Sequence, residues 1–409
     1  MYYLNIFLRN IIWLIKWKLK LKSKINFILS TKKFKLKKLS SLNVKKDIIF
    51  KKEKIKINHP IFISKNNIKP NRKKIKLKYF PEIYISRINN GNVIGKSSFI
   101  IKEDILIHHD LFEIKKDICL EEIQGKFSFS SNKKFCYFNP KKSERTILTA
   151  ASFLDSTSFN YAHWITEILP RIFVFCSKKK YKDIPLLIDK DLHKNYYESL
   201  KYVIDKNRKI FLIDKNDNIK IKNLFIVSNC GYHPIRTNIN IPDNEAFFNY
   251  KLLDKLKKRI KKKFNFIKNN KPSYYYIKRI SEQRKLLNTN KIEKYLISKN
   301  FKVIEGNNIS FSKQFKIFYN AKIIIGAAGA DFANLIFCKN YMTDIYILAK
   351  RSPNMHGLYY WPSLFPYSQK KIKIILDNEK NIFNYIFPKI MLHENFQICI
   401  NLLKNVIKI

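Results

Sequence analysis

The chain has 409 residues, 46% of them hydrophobic, and 81 Lys and Arg against 31 Asp and Glu give a formal charge of +50. That length and apolar share suit two ordinary domains with proper cores and exclude a scaffold that needs disulfides to hold it. The charge points to polyanions such as nucleic acid, anionic lipid or phosphorylated substrates, while heavy use of Lys, Ile and Asn throughout is equally a bias of composition.

Six cysteines, Cys119, Cys136, Cys176, Cys230, Cys338 and Cys399, lie far apart with no CxxC pair. Neither a zinc site nor a disulfide framework is expected, and a reducing, cytoplasmic setting fits.

Residues 1–22 mix aromatic and aliphatic residues with Lys, and Arg9 and Asn10 interrupt the apolar run. The uninterrupted stretch is too short to span a bilayer, and no small-residue cleavage site follows it. A helix lying on an anionic membrane surface is one reading, and a helix packed on the protein body is the other. Repeated Lys clusters such as "TKKFKLKKLS" mark residues 1–78 as a basic, partly ordered arm.

Residues 79–268 form an expected first lobe. "GNVIGKSSFIIKEDILIHHDL" alternates and reads as short strands, with His108, His109 and Asp110 at a turn. From Ser152 helix and strand alternate: "NYAHWITEILPRIFVFC" as a helix, "IPLLID" as a buried strand, "NYYESLKYVI" as a helix, "KIFLID" and "NLFIVSN" as strands. "NEAFFNYKLLDKLKKRIKKKF" is a long basic helix, and an Asn-rich break with Pro272 follows. Residues 269–409 repeat the logic with strands at "SYYYIKR", "FKVIEG", "KIIIG" and "TDIYIL", helices between them and a closing helix. This order predicts an α/β fold of doubly wound parallel sheets with a ligand cleft at the carboxyl ends of the strands.

Four groups of residues carry candidate chemistry. In "KIIIGAAGADFANLIF" a strand ends near Gly326 and a helix begins near Asp331. Unpaired N–H groups there suit a diphosphate, and a tight strand-to-helix corner is the equal alternative. Lys278, Arg279 and Arg284 follow the strand "YYYI" and would project over the same cleft. Asn160, His163, Glu167 and Arg171, spaced by three, four and four, share one helix face. His163 and Glu167 suit a base and its orienting partner, or the exposed stripe of an amphipathic helix. Asp189-x-Asp191 has the spacing that holds a divalent ion between phosphates, but a strand ending in a solvated turn is the preferred reading. No GxSxG, HExxH or kinase signature is present.

Three blocks together resemble glycosyltransferase family 61, which includes bacterial capsular-polysaccharide glycosyltransferases. They are Asn160-Tyr161-Ala162-His163-Trp164 through Glu167-Ile168-Leu169-Pro170-Arg171; Tyr276-Ile277-Lys278-Arg279 with Arg284 and Asn288; and Phe311, Gln314, Phe318 and Ala321 leading to Gly326-Ala327-Ala328-Gly329-Ala330 and Ala333-Asn334-Leu335-Ile336-Phe337. The departures are Ala328 where the family often has His, Asp331 for a Gly, Lys278 for a Ser and Thr289 for a Glu.

The resemblance implies a GT-B-like fold of two Rossmann-type lobes. It implies metal-independent, inverting transfer from a nucleotide-diphosphate sugar to a glycan or lipid-linked acceptor in surface polysaccharide biosynthesis, with no cofactor. His163 would be the base, Glu167 its partner and Asp155 a further candidate. Arg279, Arg284, Gly326, Gly329, Ala330 and Asn334 would bind the donor, and Asn160 and Arg171 would lie on the acceptor side. The enzyme would sit at the cytoplasmic face of an anionic membrane without binding specific nucleic acid. A basic nucleic-acid-binding protein and an inactive relative are the alternatives.

Overall fold

The computed structural model describes residues 32–55, 60–65, 78–111, 128–130, 134–138, 140, 143, 145–215, 217–233, 246–264, 273–281, 284–339, 343–351, 358, 360–364, 372–377 and 394–407. The expected surface helix at 1–22 and Pro272 lie outside them. Among the described residues no helix is long and apolar enough to cross a membrane.

The chain is α/β and is built on two large sheets. The second sheet holds six strands in the order Phe301–Glu305, Ser273–Lys278, Ala321–Ala327, Asp344–Ala349, Ile372–Leu376 and Ile61–Ile63, all parallel. Its central strands are continuous apolar runs, as a parallel sheet covered on both faces requires. Successive residues serve opposite faces. Ile277, Ile324, Ile345, Ile347 and Ile374 enter one core, whereas Tyr276, Ile323, Ile325, Tyr346, Leu348 and Ile375 enter another. Ile292 and Leu296 of the helix Thr289–Ser298 and Leu403 of the helix Ile400–Val406 belong to the second core.

The first sheet has eleven strands and differs from the expected doubly wound form. Lys32–Lys38 runs parallel to Ile105–His108, and Ile210–Ile213, Leu186–Asp189, Arg145–Ser152 and Asn218–Val227 make a four-stranded parallel patch. Beyond it Asn218–Val227 pairs antiparallel with the long strand Ile83–Ile94, which continues through the hairpin-like strands Ile100–Lys102 and Ile105–His108. The described parts of the basic arm are mainly strands. Lys32–Lys38 and Lys46–Phe50 join the first sheet, and Ile61–Ile63 forms the edge of the second.

The inner faces of both sheets share a single core. Phe153, Trp164, Ile168, Phe248, Phe315, Phe332 and Trp361 all belong to it. There the helix that follows Arg145–Ser152 meets the 3-10 helix that follows Ala321–Ala327.

Candidate functional site

The helix that follows the first sheet's parallel strand carries a wide turn. Asn160 caps it, with Oδ1 accepting from the Ala162 N–H at 2.9 Å. After Tyr161–His163 the backbone opens into a π-helical turn, Trp164–Ile168, and then continues as Leu169–Cys176. Pro170 supplies the reason, because it has no N–H for the Thr166 carbonyl four residues back and its ring crowds that oxygen. The carbonyl faces Gly231, where an added Cβ would come within 2.9 Å of it. Such wide turns recur at functional sites.

The turn holds a buried pair. His163 Nδ1 lies 2.7 Å from Glu167 Oε1, and both side chains are less than a tenth exposed. Burial raises the Glu167 carboxyl above its usual range, and the facing His163 opposes that shift. The His163 ring is 5.8 Å from the His233 ring, which meets the Tyr360 ring edge-on at 4.7 Å. The Tyr360 hydroxyl in turn lies 2.9 Å from Thr166 Oγ1. Residues far apart in sequence therefore enclose the pair.

One turn further on, Arg171 Nη2 donates to Asp155 Oδ2 at 2.7 Å. Asp155 Oδ1 accepts from the Thr157 N–H and Oγ1. Burial pushes Asp155 up, but Arg171 and the Thr157 hydrogen bonds outweigh it, and the carboxyl sits below its ordinary range. Both Asp155 oxygens are engaged, so the group is a brace for Arg171 and poorly suited to take a proton. Asn160 and Arg171, expected on the acceptor side, are a helix cap and half of this ion pair.

Asp189 does not end in a solvated turn. It is 1% exposed, and its oxygens accept from the Lys96 N–H at 2.7 Å and the Asp155 N–H at 2.9 Å. Asp191 is exposed and left-handed, at φ 59°. Among the described residues no group of three or more His, Cys, Asp or Glu is placed to hold a metal ion. His108, His109 and Asp110 form the strand-end turn expected, with Asp110 accepting from Tyr84 Oη and the Ser40 N–H.

The second sheet contributes a cationic corner. Arg279 follows the strand Ser273–Lys278, and its Nη1 lies so close over Gly329 that a Cβ there would collide with it. Gly329 precedes a 3-10 helix, Ala330–Phe337, whose first N–H groups begin at this turn. Burial lowers the Arg279 guanidinium, and Asp331 opposes that shift. Burial first, and the charge of Arg279 second, push Arg284 down to about 10, so it remains a cation at neutral pH. Arg284 Nε is buried with no hydrogen-bond partner among the described residues, and its backbone is left-handed at φ 57°. A bulky residue in that region signals a conformation imposed by its surroundings. Two neighbouring guanidinium groups, one with an unanswered donor, are arranged for an anion.

Gly326 and Asn334, expected as donor contacts, have structural parts of their own. A Cβ at Gly326 would lie 2.5 Å from the Ile277 carbonyl oxygen and 3.2 Å from the Phe332 ring, so this glycine serves close strand packing. Asn334 is fully buried. Its Oδ1 accepts from Tyr161 Oη at 2.8 Å, its Nδ2 donates to Gln314 Oε1 at 2.7 Å, and Gln314 Nε2 donates to the Gly306 carbonyl at 2.9 Å. This chain ties the His163 helix to the helix behind the Gly329 turn. Asn195 Nδ2, donating to the Ile309 carbonyl at 2.9 Å, makes a second tie between the two sheets' loops. The departure at Ala328 lies within the core, its N–H donating to the Leu348 carbonyl at 2.8 Å.

Sequence reasoning missed His233, Tyr360 and Thr166, which surround the histidine. Thr166 stood inside the helix already singled out, but nothing in spacing or composition marks the other two. The family model described as Glycosyltransferase 61 matches residues 161–345. A comparison with curated proteins finds no match to the chain. The matched segment begins at the His163 helix, takes in Arg279, Arg284 and the Gly329 turn, and ends in the strand Asp344–Ala349. The match over residues 161–345 supports assignment to glycosyltransferase family 61 and, with it, glycosyltransferase activity.

Proposed function

We propose that the chain transfers a sugar from a nucleotide-diphosphate donor to a hydroxyl of a glycan or lipid-linked acceptor, with inversion and without a metal. The observation that carries this reading is the contact between the His163 helix and the Gly329 helix through Tyr161 and Asn334. Through it the buried His–Glu pair would face the cationic turn.

His163 faces Glu167 through Nδ1, and its Nε2 would take the acceptor proton. As that proton moves to Nε2, the acceptor oxygen attacks the anomeric carbon from the face opposite the diphosphate. The bond from that carbon to the diphosphate oxygen breaks, and the electron pair leaves on the phosphate. Glu167 stabilises the imidazolium that forms. Arg279, Arg284 and the N–H groups at Gly329 and Ala330 stabilise the leaving charge, the task that a metal performs elsewhere. Asp155 and Arg171 brace the far end of the helix.

The two sheets would then act as acceptor and donor lobes of a GT-B-like enzyme. Working in surface polysaccharide biosynthesis, the protein would sit at the cytoplasmic face of an anionic membrane that carries the acceptor. The test is transfer assayed in EDTA with wild type and His163→Ala. Undiminished transfer by wild type in EDTA, and a loss of at least about a hundredfold in the variant with nucleotide binding kept, are expected. Full activity in His163→Ala removes it as the base, and loss of wild-type transfer in EDTA removes the metal-free reaction.

A further inference from the structure

The long basic helix takes no part in the transfer chemistry. In Tyr250–Lys263, Leu252, Leu253, Leu256 and Ile260 are buried. Lys251, Lys255, Lys258 and Lys262 are exposed, and their spacing puts them in one stripe on the side away from the core. The stripe continues onto another part of the chain. Lys251 Nζ lies 2.8 Å from Glu53 Oε2, and Lys255 Nζ sits 4.7 Å over the Phe50 ring. These contacts lay residues 50–54 alongside the helix and add the exposed Lys51, Lys52 and Lys54.

Two features separate this patch from a merely solvated basic face. Its two acids are already answered, Glu53 by Lys251 and Asp254 by Lys258 at 2.7 Å, so the surplus charge faces outward. Large apolar groups also stand exposed on the same stretches of chain, next to Lys52 and just before Phe50. Tyr79, 59% exposed, lies under Lys52 Nζ at 4.8 Å, and Ile48 is 48% exposed.

We propose that this face docks on an anionic lipid bilayer. The lysines would meet lipid phosphates, while Tyr79 and Ile48 enter the headgroup layer, where aromatic side chains are favoured. A nucleic acid would use the charge but give the exposed Ile48 nothing to enter. The proposal deepens the membrane part of the reading above and is independent of the transfer chemistry, because vesicle binding is measured without turnover.

The test is co-sedimentation of the full-length protein with vesicles of phosphatidylcholine alone or with phosphatidylglycerol added. Two quadruple variants carry the same loss of charge. One replaces Lys251, Lys255, Lys258 and Lys262 by Gln; the other replaces the exposed Lys291, Lys294, Lys299 and Lys302 by Gln. Lysines held near a charged surface each add to the attraction, so the first should weaken binding to phosphatidylglycerol vesicles by at least about tenfold, and the second by less than about twofold. Equal losses in both, no loss in the first, or equal binding to both vesicle types would overturn the proposal. So would tight duplex-DNA binding at physiological salt that the first variant alone abolishes. Transfer to a soluble acceptor should be retained in both.

Discussion

Asp189 closes a fully buried strand and gives both oxygens to backbone N–H groups of neighbouring loops. Burial nevertheless dominates and pushes its carboxyl up to about 6. Between its ordinary range and about 6 the folded protein holds a proton that the unfolded chain has released. Its contribution to stability therefore falls as pH rises through that window, by on the order of 3 kcal/mol in all. Asp189→Asn should flatten the window, so that the stability difference between variant and wild type in urea changes from pH 4 to pH 6 and is constant above. A constant difference across the whole range would show that Asp189 is ionised throughout. Asp155 has the opposite sign: its stabilisation is complete above the ordinary carboxylate range and is lost as pH falls through its depressed value.

At the scale of elements, the His163 helix and the Gly329 turn were both legible in sequence, because each depends on local chemistry. The cap, the proline and the i, i+4 pair lie within one run, and small residues after an apolar strand announce a close approach. Partners supplied from elsewhere were not legible, and Asn334 shows why. Its type and position suggest a ligand contact, but Tyr161 and Gln314, remote in sequence, occupy its amide. Gly329 allows a sharper test of the turn. A methyl at this position collides with the end of the flexible Arg279 side chain, which can move aside, and otherwise finds ordinary contact with the Ala327 carbonyl at 3.5 Å. Gly329→Ala should keep its melting temperature within about 2 °C of wild type, a change of under roughly 0.5 kcal/mol. It should also bind nucleoside diphosphate about tenfold more weakly in calorimetry. Unaltered affinity would mean that the placement of Arg279 over Gly329 has no bearing on the anion.

Across the whole molecule, four strands of the second sheet followed from their apolar runs, whereas composition hid the strands that the basic arm adds to both sheets. Lys32–Lys38 buries Phe34 alone, so it shows no alternation, and Ile61–Ile63 is three residues within a Lys- and Asn-rich stretch. Both are strands because a neighbour offers an edge, which is not a local property. The resulting path threads the arm through both sheets over a shared core. Unfolding should therefore be a single transition, with tryptophan fluorescence and circular dichroism superimposed. Two separated transitions would show that the sheets are independent units.

The central claim is that Arg279 and Arg284 hold a nucleoside diphosphate beside the His163 helix. It is tested most directly by thermal unfolding of wild type, Arg279→Ala and Arg284→Ala with UDP, GDP or dTDP in EDTA. A ligand that binds only the native state at about a hundred times its dissociation constant stabilises it by about 2.7 kcal/mol. The account predicts that at least one nucleotide raises the wild-type melting temperature and that each arginine variant loses most of the shift. A shift of equal size in both variants, or one that needs added Mg²⁺ or Mn²⁺, would contradict it.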